Sequence, residues 1–265
     1  MNGFILYKGV WISESAPHTQ LELKLSDCKA MLNKGGYAIR NAYDFDKVND
    51  GSFWYVIKDS FGGMEELSTN TRNQVRKCLK QCDIHQVTKD ELLKKGYEVH
   101  SAAASGYKVK THVPTTEEFR NGILKKNQEY EYWAAYIKDT DKMIAFSINR
   151  VHENCCEYST MKAIPEMLRQ YYPFYGLLYE MNRYYLEKRG LMYVNDGARS
   201  LTNHSNIQPF LIEKFKFRKA YGRMQVVYKP WVKIVVNMLY PFRSIIPNLK
   251  IRSFLNMEAI RRGDI

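Results

Sequence analysis

The chain is short of acidic residues, and it lacks the cysteine and glycine patterns on which many small sites are built. Twenty-eight Asp and Glu stand against forty Lys and Arg, a formal net charge of +12. A surplus of that size favours anionic partners, whether nucleic acid, phosphorylated ligands or an acidic membrane, without choosing among them. The five cysteines, Cys28, Cys78, Cys82, Cys155 and Cys156, are an odd number with no paired spacing. That argues against a disulfide framework and for reduced thiols in a cytoplasmic protein. No apolar run reaches the ~20 residues that a spanning helix needs, and Met1 to Lys8 lacks the long apolar run expected of a signal peptide. His152 stands near Cys155 and Cys156, but no second ligand pair has zinc spacing. No metal is expected, and no internal repeat or low-complexity segment interrupts the chain.

What is present supports a sizeable core. The 265 residues are 45% hydrophobic and 14% aromatic, enough for one large core with an added subdomain. Three stretches rich in aromatic and β-branched residues read as strands: Phe4 to Ile12, Tyr37 to Phe45 and Ser52 to Asp59. A helix from about Glu65 to Gln81 follows, with Val75, Cys78, Leu79 and Cys82 on one face. Its other face carries Arg72, Arg76 and Lys80 at four-residue spacing, either a phosphate-binding edge or a solvated helix side. A strand (Asp83 to Thr88), a short helix (Lys89 to Lys95) and a polar loop (Ser101 to Lys110) come next. Thr115-Thr116-Glu117-Glu118 has the form of a capping box opening a helix to about Gln128. Strands Glu131 to Lys138, Lys142 to Val151 and Cys155 to Ala163 form an antiparallel meander with Asp139-Thr140-Asp141 and His152-Glu153-Asn154 as its turns.

After a loop from Pro165 to Pro173, a helix runs from Phe174 to Arg189 and stops at Gly190. A short buried strand (Leu191 to Asn195), a helix (Asn206 to Phe215) and a long strand (Phe217 to Lys229) complete the layer. The last residues make a basic amphipathic tail, with Trp231, Ile234, Val235, Met238 and Leu239 on one helical face. That face is expected to cap the protein's own core, with contact to a membrane surface as the alternative. Domain boundaries are placed at 1–82, 83–230 and 231–265.

The joint after the Leu191 strand is crowded with polar groups. Asp196 to Asn206 holds an Asp, an Arg, a His, two Asn and two Ser, at a strand-to-helix junction where ligands collect in layered folds. Asp196 is a base or orients one, or it forms the turn before Gly197. His204 titrates in a useful range, or it is a surface group. Ser205 caps the following helix, and Arg199 is a bidentate clamp for carboxylate or phosphate.

The order of three antiparallel strands, helix, strand, helix and long strand resembles the GNAT acyltransferase core, an α+β fold with a mixed, largely antiparallel sheet flanked by helices. Gly190-Leu191-Met192-Tyr193-Val194-Asn195-Asp196-Gly197 resembles the fifth-strand segment of Fem-type peptidyltransferases. Leu67 to Lys80 is similar to their Arg-x-x-x-Arg-Lys helix, and Lys214 to Tyr221 to their Phe-Gly-Phe-type junction. The Gln/Arg-x-x-Gly-x-Gly/Ala pyrophosphate loop of acetyltransferases is replaced by Gln170-Tyr171-Tyr172-Pro173-Phe174-Tyr175-Gly176. The resemblance implies an acyltransferase of the Fem-like branch, with the acyl group lying in a splay between the fourth and fifth core strands. Cys156 to Lys162, Met161 among them, would line one side. Phe174, Tyr175, Gly176 and Leu177 would hold the phosphate end of an acyl-CoA. Arg199, Asn203, Asn206, Arg72 and Arg76 would contact substrate or phosphate, and Asp196 and His204 are the candidate catalytic groups. The acceptor is a small-molecule or peptide amine. Transfer from aminoacyl-tRNA, or a non-catalytic binding module, are the alternatives.

Overall fold

A computed structural model describes residues 3–105, 113–201 and 207–265. In chain order, the first elements are strands β1 (Phe4–Tyr7) and β2 (Val10–Ser13), helix α1 (Leu25–Lys34), strands β3 (Ala38–Tyr43) and β4 (Trp54–Lys58), and helix α2 (Thr69–Gln81). There follow β5 (Cys82–Val87), α3 (Lys89–Ser105), α4 (Thr116–Leu124), β6 (Tyr130–Ile137), β7 (Met143–Val151) and β8 (Cys155–Ala163). The remainder is α5 (Leu168–Tyr171), α6 (Pro173–Asn182), β9 (Tyr193–Ala198), α7 (Ile207–Phe215), β10 (Arg218–Tyr221), β11 (Arg223–Tyr228), α8 (Pro230–Leu239) and α9 (Leu249–Arg262). The fold is α+β, as expected. The chain divides into two compact units, one of residues 57–197 with 207–218, the other of 1–56 with 198–206 and 219–265.

The larger unit is built on the meander. Strands β5, β6, β7 and β8 pair antiparallel in sequence order, and β9 joins β8 in parallel. With β4 and β10 beyond β9, the sheet has seven strands in the order β10-β4-β9-β8-β7-β6-β5. Strand β7 is buried at seven consecutive positions, Met143 to Asn149, because helices cover both faces. Phe146 meets Phe119 of α4 on one side. On the other, Asn149 donates from Nδ2 to Met181 Sδ of α6 and to the Tyr185 hydroxyl. The capping box forms as the sequence implies: Thr115 Oγ1 accepts from the Glu118 amide, and Glu118 Oε2 accepts from the Thr115 amide. Ser68 caps α2 by accepting from the Thr71 amide, so that helix begins at Thr69, four residues after the expected Glu65.

A polar network crosses the α6 side of this core. The buried Tyr185 hydroxyl accepts from Trp133 Nε1 (3.0 Å) and donates to Glu131 Oε2 (2.9 Å), while Arg189 pairs with Glu131 at 2.6 Å. Tyr185→Phe leaves the indole N–H and the Asn149 amide without that acceptor. It is expected to cost about 1–3 kcal/mol, measurable as a lowered midpoint in urea with unchanged slope.

The smaller unit has a four-stranded sheet in the order β1-β2-β3-β11. Cys28, Met31 and Leu32 of α1 pack on Ile39 at one face, while Met257 and Ile260 of α9 pack on Ala38 and Met224 at the other. Helix α8 closes a further cluster through Val232, Val236 and Leu255. Glu258, 1% exposed, accepts from Arg261, Arg262 and Tyr228. Burial alone would raise its carboxyl, but the two guanidinium groups hold it below the ordinary range. A folded-state value below the unfolded one stabilises above the unfolded value near ~4.3, and the gain disappears as pH falls through the folded value. Because both arginines are partly exposed, Glu258→Gln is expected to cost only about 2 kcal/mol at neutral pH. It should also flatten the loss of stability between neutral and acid pH, as read by thermal melts across a pH series.

Several sequence expectations change. Phe4 to Ile12 is a hairpin and not one strand, because Lys8 and Gly9 take φ of 49° and 84° and turn the chain. Helix α1 was not foreseen, since its buried face is only three residues wide. Helix α3 runs past Lys95 to Ser105, with Gly96 buried inside it. The segment before Pro173 contains a 3-10 turn and the short α5 rather than a loop. Helix α6 continues beyond Asn182 as a wide turn to Lys188 in which the Arg189 amide donates to the Tyr184 carbonyl. The expected long strand from Phe217 to Lys229 is two strands broken at Gly222, β10 in one sheet and β11 in the other. All five cysteines are free and buried.

Candidate functional site

Strands β8 and β9 pair over only a short stretch. Their parallel ladder consists of Cys155 with Tyr193, Cys156 with Val194, and Glu157 with Asn195. It then stops, although β8 runs on to Ala163 and β9 to Ala198. On its other edge β8 carries a bulge: Ile148 opposes Thr160 while Asn149 opposes Tyr158, leaving Ser159 without an opposite residue. A bulge bends its strand and increases local twist, and this one begins directly beyond the last β8–β9 pair. Asn195 pins the last pair by donating from Nδ2 to the Cys156 carbonyl (3.2 Å) and accepting from the Gly197 amide (3.0 Å).

Asp196 is the first residue beyond that pair. The sequence reading puts it after the strand, whereas β9 extends through it to Ala198, held by β4 on its other edge. Burial pushes its carboxyl up to about 7, a hydrogen bond with Gln208 of α7 opposes the rise, and the neighbouring Glu157 carboxylate adds to it. Glu157 is itself raised by burial, against the pull of Arg150 and Lys126. A carboxyl that titrates near neutral pH at the mouth of a strand gap can exchange a proton with an amine or hydroxyl.

Phe174, Tyr175, Gly176 and Leu177 form the first turn of α6. Tyr172, before it, takes a left-handed φ of 53°. Pro173 has no N–H, and the Tyr175 and Gly176 amides donate to the Tyr172 carbonyl at 2.9 and 3.4 Å. Gly176 serves the approach of α6 to α2: a Cβ there would lie 2.3 Å from Ile84 Cδ1 and 2.5 Å from Cys78 Sγ. Tyr175 stacks edge-on to Phe210 and tilts against Phe215, and Lys77 lies over the Tyr172 ring at 5.1 Å. Met161 sits half-buried on the parting half of β8, opposite Ser147 of β7.

Arg72 donates to the Leu67 carbonyl (3.2 Å) and lies 3.7 Å from Glu65, so part of the basic stripe is tied to its own helix start. Arg76, Lys77 and Lys80 are exposed. Arg199 belongs to the smaller unit. It donates to the carbonyls of Ser52 (2.8 Å) and Ile265 (2.9 Å), with its guanidinium 4.2 Å over the Trp54 ring. Those contacts are structural ones that the sequence does not announce. His204, Asn203 and Asn206 lie outside the described residues, as does Ser205. No group of three metal-ligating side chains occurs among the described residues, and none of their helices is long and apolar enough to cross a membrane. Sequence reasoning passed over Glu157 and Gln208. A carboxylate in a strand paired with the one bearing Asp196 is a signal that could have found the first, while Gln208 is visible only once α7 is in place.

No protein-family model matches the chain, and no curated protein matches its sequence. Solved structures do. FemX superposes with a TM-score of 0.56 at 11% identity, over 85% of this chain and 84% of its own. The C-terminal domain of a protein assigned as a lysylphosphatidylglycerol synthetase in Agrobacterium fabrum gives 0.55 at 10% identity, over 88% and 83%. L-PGS from Bacillus licheniformis gives 0.53 at 12% identity, over 98% and 85%. At such identities the likeness is one of architecture. This chain has a GNAT-like fold, shared in architecture with FemX, with a mixed sheet whose fourth and fifth core strands, β8 and β9, pair over only three residues each.

Proposed function

We propose that this protein is an acyltransferase in which a nucleophilic amine attacks an acyl donor lying between β8 and β9. The observation that carries the reading is the early end of the β8–β9 ladder, with Asp196 at the point of parting. An extended donor arm fits there by hydrogen bonding to strand edges, as a peptide adds to a sheet. The amine nitrogen bonds to the acyl carbon, the bond to the leaving sulfur or oxygen breaks, and Asp196 takes the proton that the amine loses. Catalysis then rests on positioning plus one proton acceptor. His204, Asn203 and Asn206 remain candidates for the acceptor side, and Arg76 for contact with a phosphate.

The donor is the point at which a second reading has support. Acyl-CoA needs free amides at the α6 N-terminus for its pyrophosphate. There Pro173 has no N–H, the Tyr175 and Gly176 amides are engaged, and Cys78 and Ile84 fill the space at Gly176. That favours an aminoacyl ester, as on aminoacyl-tRNA, over acyl-CoA. Titration calorimetry with acetyl-CoA, longer acyl-CoAs and aminoacylated bulk tRNA separates the two. The tRNA reading requires binding that weakens steeply with salt, and binding of acyl-CoA alone would reverse the preference. If no donor binds and none transfers its acyl group to an amine, the acyltransferase proposal fails.

A further inference from the structure

Helix α8 is apolar except along one edge, which carries Lys233 and Asn237. Val232 and Val236 are buried against Leu255, yet the opposite face, Trp231, Ile234, Val235 and Met238, is 56, 61, 42 and 67% exposed. Of the face expected to cap the core, Leu239 packs against the cluster of Val232, Val236 and Leu255, while the other four residues stay exposed. Contiguous exposed apolar patches of this kind mark interaction surfaces. The patch does not end with the helix. Trp231 meets Tyr37 edge-on at 6.0 Å. The Tyr37 amide donates to the carbonyl of Gly9 in the β1–β2 turn, beside which Leu6 and Tyr7 are exposed.

Along the sequence that forms the patch, the charge is of one sign. From Lys214 to Met257 the sequence has ten Lys and Arg and not one Asp or Glu. Lys229, Lys233, Arg243 and Lys250 are interleaved with the exposed apolar residues, and Lys8 extends from the hairpin turn. Exposed aromatic and aliphatic side chains interleaved with lysines and arginines match the acyl–headgroup boundary of an anionic bilayer, where apolar burial and attraction to acidic headgroups add. A protein partner or a second copy of this chain would have to neutralise the same cations, and a second copy brings the same positive face.

We infer that the α8 face together with the β1–β2 turn is a docking surface for anionic lipid membranes. The inference is independent of the proposed reaction. The test is flotation of the full chain with vesicles of phosphatidylcholine alone and of phosphatidylcholine with phosphatidylglycerol, at low and high salt. The wild type is expected to float with the anionic vesicles and to be released by salt. Lys233→Glu should weaken partitioning about tenfold, and Ile234→Glu with Met238→Glu should abolish it. Both variants alter exposed positions, and circular dichroism together with the thermal midpoint verifies that they fold. Equal partitioning by wild type and the double variant would overturn the proposal. So would failure to bind anionic vesicles at low salt, or a wild-type dimer that the double variant converts to monomer without any vesicle binding.

Discussion

Asp196→Asn should lower the rate of acyl transfer by about 10²–10⁴-fold, the range for loss of a positioned proton acceptor. That corresponds to about 3–5 kcal/mol of transition-state stabilisation. The substitution keeps the side-chain shape and can still hydrogen-bond to Gln208, so the strand and the gap should persist. The pH dependence identifies the group. With its carboxyl pushed up to about 7, Asp196 is a base only above neutrality. The wild-type rate should therefore rise through pH ~7 and level off, and the variant should lack that limb.

Stability moves the other way. A carboxyl raised in the folded state penalises the fold increasingly as pH climbs from its unfolded value near ~3.9 through the folded one. Asn carries no such penalty, so the variant should be at least as stable as the wild type at pH ~8. A carbon-13 NMR titration provides a readout free of any substrate: the Asp196 carboxyl should titrate near 7. A midpoint near ~4, the value for a solvated aspartate, together with an unaltered rate in the variant, would exclude the assignment.

Replacing Gly176 should give the largest loss of stability. Even Gly176→Ala places a Cβ within 2.5 Å of both Ile84 Cδ1 and Cys78 Sγ, in a packed interior that must move apart to admit it. Overpacking costs about 1–3 kcal/mol, and the better helix propensity of alanine returns up to about 1 kcal/mol. The expected net loss is about 1–2 kcal/mol for Ala, and about 3 kcal/mol or more for Leu. Denaturant titration measures it, and a double-mutant cycle localises it. Ile84→Val removes the atom nearest the new Cβ, so Gly176→Ala should cost less in that background. Additive losses would mean that the helices separate without regard to Ile84. The same crowding underlies the donor preference, since the small residue expected at the phosphate end of an acyl-CoA is used for packing.

The legible parts of this chain are those governed by contacts a few residues apart. The capping box at Thr115, the meander from Tyr130 to Ala163 and the buried face of α2 follow from spacing alone. They form because a side chain reaches its neighbour's amide, or because alternation matches the pleat. Misreadings fall where distant groups decide. Gly9 closes a hairpin inside an apparently continuous apolar run, and Gly222 lets one run serve two sheets. Val232 and Val236, not the more conspicuous Trp231 stripe, face inward because α9 presents Leu255 to them.

Composition and periodicity by themselves determined an α+β chain with a basic surface and its polar residues gathered near Asp196, since charge and local hydrogen bonding are properties of neighbours in sequence. Tertiary structure alone decided where β8 and β9 separate, how far burial and Glu157 lift the Asp196 carboxyl, and which side of α8 meets solvent. Each of these depends on strands and helices remote in sequence, whose pairing and desolvation no local pattern encodes.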